Sequence, residues 1–237
     1  LFNYVQSELE KATTPQVFFV LSTSNHPPYE TPTTFKPQGL QKLSPETAKL
    51  FLKPEGEVLR RFRTLQYANR QLGEFMTRVK SGKLKDQLAV AVTGDHSFWI
   101  GKDEGATGAI RKYGVPFYLY LPQTLRPATW DKNRWGSHID IWPTLYQHTL
   151  SNATYWAFGT DMLSGRPGAA LNNFGITAGT EGAIVRDVTY CWKENHWLTP
   201  CEGSPGLTLL KNYGRAEIGL TDEFLRANAS GAIRPLP

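Results

Sequence analysis

Two short apolar runs constrain this chain more than any other feature: Val17-Phe-Phe-Val-Leu21 and Leu88-Ala-Val-Ala-Val92. Each is continuously apolar, without the alternation of a half-solvated strand. Each therefore reads as a strand buried on both faces, as in a parallel sheet. Each also ends at once in polar residues. The first passes through Ser22-Thr-Ser24 into Asn25-His26-Pro27-Pro28-Tyr29, where proline stops further ladder pairing. The second passes through Thr93-Gly94 into Asp95-His96. If the two strands are parallel, both polar clusters lie at the carboxyl edge of one sheet, where open α/β sheets bind ligands.

The remaining pattern supplies the helices. Leu1 to Lys11 reads as a short helix ended by Thr13-Thr14-Pro15, and residues 30–54 read as a Pro- and Thr-rich surface excursion. Between 57 and 80, Val58, Phe62, Leu65, Ala68, Leu72, Phe75, Met76 and Val79 recur at three- and four-residue steps, the clearest helical stripe in the chain. Glu55 and Glu57 at its start and Arg78 and Lys80 at its end complement the helix dipole. After a Gly-rich stretch over 101–114, Val115 to Leu121 reads as a third strand. Ser137 to His148 reads as a second long helix, with Pro143 tolerated only in its first turn. The expected fold class over 1–150 is α/β, a mostly parallel sheet flanked by helices. Residues 151–237 read as a small antiparallel subdomain: hairpin strands over 183–192 and 196–201, a strand at 207–210, and a terminal helix from near Thr221.

Composition narrows the function classes. With 40% hydrophobic and 20% charged residues in 237, the chain is globular. A net charge of +5 without a run of five like charges argues against a dedicated nucleic-acid binder and leaves room for an anionic substrate or membrane surface. No apolar run approaches the roughly 18 residues of a membrane helix. The chain starts at Leu1 without a signal peptide, so it is expected to be a mature or excised piece, with any anchor upstream. Cys191 and Cys201 flank an apparent hairpin tip. A disulfide there would imply an oxidising compartment, and two separate thiols are the alternative.

Asp95 and His96 are the strongest site candidates. A carboxylate and an imidazole at a strand end can both ligate a divalent cation, although two ligands do not complete a shell. The competing reading is a surface turn. His26 is either a loop-capping imidazole or a donor to an anionic oxygen. His138, His148 and His196 lack a carboxylate or Cys neighbour at ligand spacing and read as structural. Arg60-Arg61-Phe-Arg63 reads as a solvated helix face. Asn152-Ala-Thr154 and Asn228-Ala-Ser230 match the glycosylation pattern, which short sequences meet by chance. Phosphate-loop, dinucleotide, nucleophile-elbow and zinc-protease motifs are missing from the sequence.

Several segments, taken in order, resemble one family. Phe18 to Tyr29, containing Ser24-Asn25-His26-Pro27-Pro28-Tyr29, resembles the S-N-H-x-P-[FY] segment of lipoteichoic-acid synthases and related phosphoglycerol transferases. Arg63 to Phe75 resembles the helix that follows it, and Ala91-Val-Thr-Gly-Asp95-His96-Ser97 resembles the family's G-D-H metal motif. Val115-Pro116-Phe117 and Ser137-His-Ile-Asp140-Ile-Trp-Pro143-Thr-Leu145 resemble the V-P strand and S-x-x-D-x-x-P-T-L helix of sulfatase-like proteins. The resemblance implies an alkaline-phosphatase-like fold in the sulfatase branch, with a small C-terminal antiparallel β subdomain.

It also implies an activity. A threonine nucleophile beside a divalent cation (manganese foremost; zinc, magnesium or calcium otherwise) takes a phosphoglycerol- or phosphoethanolamine-type group from a phospholipid. The group passes to an envelope glycan or lipid acceptor. By motif match, Asp95 and His96 are metal ligands and His26 contacts the substrate phosphate. The implied setting is extracytoplasmic, with a membrane anchor upstream and no nucleic-acid partner. The family's nucleophile and a further acidic ligand come from an N-terminal half that this sequence lacks. Thr23 and Thr93 do not match the nucleophile motif, and Asn69 stands where the family helix often carries Asp. The chain then reads as the C-terminal part of a catalytic domain, inactive alone. A sulfatase or phosphatase hydrolase and a non-catalytic binding domain of the same fold are the other readings.

Overall fold

The computed structural model describes residues 1–97, 100–102, 104–150 and 153–230; the sequon asparagine Asn152 lies outside them. The chain divides into two compact units, Leu1–Leu88 with Ile100–Asp103, and Ala89–Trp99 with Glu104–Pro237.

The first unit is helical: α1 (Phe2–Lys11), α2 (Pro45–Ala48) and α3 (Glu55–Ser81). The expected stripe of α3 buries Val58, Phe75 and Val79, joined by Leu59, while Leu65 stays exposed. Phe2 of α1 stacks on Phe75 with ring centroids 5.2 Å apart, and Arg78 donates to Gln6 and Asn3. The proline-rich excursion is tied down at three points. Arg63 donates twice to the Leu40 carbonyl, Gln38 and Gln66 exchange hydrogen bonds of 2.8 and 2.9 Å, and the Leu43 N–H donates to Glu55.

The strand expected over 16–24 is not formed. The segment is exposed over 16–23, and none of its residues lies in a strand. Apolar content favours burial, but a strand also needs a partner, and no backbone hydrogen bond from a described residue of this unit reaches residues 16–22.

The second unit holds two sheets. β1 (Val90–Thr93) pairs with β2 (Phe117–Tyr120) antiparallel, Val90 opposite Tyr120 and Thr93 opposite Phe117. The α/β class holds, but the expected mostly parallel pairing does not describe these strands. Their link delivers Phe117 to the carboxyl end of β1 and does not carry the chain back to Val90. That link contains α4 (Gly105–Tyr113), hidden in the sequence by its glycines. Burial of Ala106, Thr107 and Gly108, and acceptance of the Leu198 N–H by the Thr107 hydroxyl at 2.9 Å, outweigh the poor propensity.

A 3-10 turn at His138–Asp140 then leads into α5 (Ile141–Thr149), with Pro143 in its first turn as expected. β3 (Ala170–Asn172), β4 (Ile176–Ala178), β5 (Gly182–Val185), β6 (Val188–Trp192) and β7 (Leu198–Pro200) form an antiparallel meander in sequence order. The Cys191–Cys201 disulfide joins β6 to the residue after β7. Residues 207–210 are not a strand, and the last helix does not begin near Thr221. α6 spans Pro205–Ala229. Ser204 caps it by accepting the Leu207 N–H at 3.1 Å, and Pro205 occupies its first turn.

Candidate functional site

β1 ends at Thr93, and the next three residues turn sharply into solvent. Asp95 Oδ1 accepts the backbone N–H of His96 at 2.9 Å, which fixes the carboxylate against its own neighbour. His96 Nδ1 lies 3.1 Å from the Ser97 carbonyl. A hydrogen on Nδ1 donated there leaves a lone pair on Nε2. That Nε2 sits 3.6 Å from Asp95 Oδ2, and the side chains are 70% and 82% exposed respectively. Two donor atoms, one anionic and one neutral, thus share an open side of the turn. Such a donor pair fits a divalent cation of the manganese or zinc type as part of a shell. Among the described residues, no group of three or more His, Cys, Asp or Glu completes one.

The turn is braced from behind. His138 Nε2 donates to the Gly94 carbonyl at 2.8 Å and lies 3.4 Å from Thr93 Oγ1. Asp140, which ends the same 3-10 turn as His138, is 3% exposed. Asp140 Oδ2 accepts the Ser137 N–H at 2.8 Å, and Oδ1 accepts the Thr160 N–H at 2.7 Å. Glu217 on α6 is also buried, and its Oε2 has no hydrogen-bond partner. Burial pushes the Glu217 carboxyl up; a Tyr213 hydrogen bond opposes this, and the Asp140 charge adds to it. Burial and the Glu217 charge push the Tyr213 hydroxyl up to about 12.

Other histidines divide. His26 belongs to the first unit. It is exposed on a turn closed by its own N–H to the Thr23 carbonyl at 3.0 Å, and its Nδ1 lies 3.3 Å from the Pro27 carbonyl. His148, read as lacking a carboxylate, in fact meets Asp161 Oδ2 at 3.3 Å. Asp161 lies beyond α5, out of reach of any spacing rule. His196 packs edge-on against Trp192. Sequence adjacency marks Asp95 and His96 as a candidate pair. The brace from His138 has no sequence signal, because its acceptor lies 44 residues away.

The family model described as Sulfatase matches residues 1–151. No curated protein is similar enough to be matched. Among solved structures, a protein in the alkaline phosphatase superfamily from Vibrio parahaemolyticus shares 18% identity at a TM-score of 0.68, covering 96% of this chain and 54% of that one. The lipoteichoic acid synthase LtaP from Listeria monocytogenes shares 20% identity at a TM-score of 0.55, covering 86% of this chain and 52% of that one. The chain therefore spans about half the length of these structures.

Proposed function

The chain belongs to the sulfatase family, and on that premise we propose that it is part of a metal-dependent phosphotransferase. The group moved is of the phosphoglycerol or phosphoethanolamine type, from a phospholipid to an envelope glycan or lipid acceptor. The observation that carries the reading is the braced Asp95–His96 turn, with Oδ2 and Nε2 together on its open side. The likeness to a lipoteichoic acid synthase supports the donor and acceptor classes. The Cys191–Cys201 disulfide supports an oxidising, extracytoplasmic setting.

Asp95 and His96 would hold the cation, manganese foremost. When bound, it supplies positive charge to the oxygens of a transferring phosphoryl group. The chain's own residues prepare that place. The Ser97 carbonyl fixes the His96 tautomer, as ligating imidazoles require. His138 holds the Gly94 carbonyl and so sets the angle at which the turn leaves β1. His26 would donate to a substrate phosphate oxygen. The nucleophile and remaining ligands would come from polypeptide outside residues 1–237, as would a membrane anchor. Among the described residues no helix is long and apolar enough to cross a membrane. Within this reading, residues 1–150 belong to the catalytic α/β part and 151–237 to a smaller subdomain, and the chain alone is inactive.

Calorimetric titration of Mn²⁺ and Zn²⁺ tests the site. Binding is expected in the parent chain, absent in His96→Ala, and weaker by about tenfold in His138→Ala, the usual cost of losing a group that orients a ligand. Unchanged binding in His96→Ala would remove the site. For a longer polypeptide given phosphatidylglycerol, release of the free headgroup phosphate to water alone would move the reading to a hydrolase.

A further inference from the structure

We infer that Arg61 on α3 is a positioning residue for His26, acting through the buried ring of Tyr29. That His26 meets a substrate phosphate rests on the proposed function; that Arg61 sets where its imidazole stands does not. Arg61 lies in the Arg60-Arg61-Phe62-Arg63 cluster, which the sequence leads one to expect as a solvated helix face. Arg60 is exposed, but the side chain of Arg61 is only 11% exposed. Its guanidinium lies over the Tyr29 ring, 4.5 Å from the centroid. Glu57, one helical turn earlier, holds that guanidinium through an ion pair between Oε1 and Nη2. A planar cation gripped at its edge by a carboxylate presents its flat face to an aromatic ring, which the compact ammonium of lysine does not.

The link from Tyr29 back to His26 is short and made by the backbone. The Tyr29 N–H donates to the His26 carbonyl at 3.0 Å, and the His26 N–H donates to the Thr23 carbonyl at 3.0 Å. His26 is thus clasped on both sides, and the second clasp is as firm as Tyr29 itself. Tyr29 is 9% exposed and holds φ at 59°, in the left-handed region that bulky side chains avoid. Such a conformation persists only where its surroundings over-determine it, and such residues cluster at functional sites. Burial of the ring beneath Arg61 supplies that constraint here. The strain sits in the residue that closes the His26 turn, while the imidazole three positions earlier stays exposed. Glu57, Arg61 and Tyr29 therefore form a chain of fixed contacts from the body of α3 to the backbone that carries His26.

Nuclear magnetic resonance of the 237-residue chain reads the place of His26 directly. Its signals, identified by their loss in His26→Gln, are expected to shift in Arg61→Gln and in Tyr29→Leu, with those of His148 and His196 unmoved. Tyr29→Phe keeps the ring and should leave His26 in place. Arg61→Lys keeps the charge without the flat guanidinium and should shift His26 too, so it carries the test if Arg61→Gln does not fold. Combining Tyr29→Leu with Arg61→Gln should shift His26 no further than the larger single change, because both act on one contact. Unmoved His26 signals in Arg61→Gln or Arg61→Lys overturn the inference, as does an equal shift at His148 and His196. Turnover of phosphatidylglycerol by the natural polypeptide, expressed with its flanking sequence, separates the inference from the function it rests on. Arg61→Gln should lower kcat/KM by up to roughly 100-fold, as a misplaced group does, and cost nothing further in a His26→Ala background. Equal losses in both backgrounds make Arg61 a purely structural residue and overturn the inference. Shifted His26 signals with full turnover in His26→Ala remove the phosphate role of His26 alone and leave Arg61 as its support.

Discussion

Glu217 is a buried carboxyl whose proton is held more tightly in the folded chain than in the unfolded one, because burial disfavours its charge. Its contribution to stability is therefore complete below the ordinary value of 4.5 and is lost as pH rises through the folded-state value. Glu217→Gln keeps the shape and removes the ionisation. The variant is expected to melt above the parent at about pH 8 and to converge with it near about pH 4, where both side chains are neutral. A crossing of the two curves in the opposite sense would contradict the assignment. Glu217 also shows what single residues hide in a sequence. Its neighbours Tyr213 and Asp140 are four and 77 positions away, and only the first is within reach of a helical spacing rule. Asp95 and His96 stand out as candidates in the sequence because an adjacent carboxylate and imidazole need no third residue to be noticed. His138 does not, because a histidine at a helix start is common and its acceptor is a backbone oxygen on another element.

Elements were legible where spacing and end signals agreed. α3 carries its stripe, its end charges and its stop, and it forms over Glu55–Ser81. α6 was misread because Leu207 to Leu210 is too short an apolar run to separate strand from helix. Ser204-Pro205 was the stronger signal there, a cap followed by a first-turn proline. Glycines have opposite meanings in these two helices. In α6, a Cβ on Gly214 would lie 2.1 Å from Thr177 Oγ1, so the close approach of α6 to β4 requires glycine. In α3, a Cβ on Gly73 would meet nothing within 4 Å. Gly214→Ala is expected to lower stability by about 1–3 kcal/mol through overpacking. Gly73→Ala is expected to raise it by about 0.5–1 kcal/mol through helix propensity. Denaturant unfolding of both variants checks the opposite signs.

At the scale of the whole molecule, the runs at 17–21 and 88–92 are alike in composition and unlike in outcome. The second contributes β1 and finds β2, while the first finds no strand among the described residues. Composition records a demand for burial; it does not name the partner that meets it. The sense of pairing was hidden for a related reason. The link from β1 to β2 fixes direction by where it delivers the chain, and its one helix was masked by glycine. The meander differs, since each of its strands bonds only to strands adjacent in sequence. Such local contacts carry little loop-closure entropy, so this part of the chain can assemble quickly and without earlier residues. In refolding followed by pulsed amide labelling, β4 to β6 are expected to gain protection before α3. Closure of the β6–β7 hairpin would then bring Cys191 and Cys201 together as an early local event, and oxidation would lock a hairpin that has already formed.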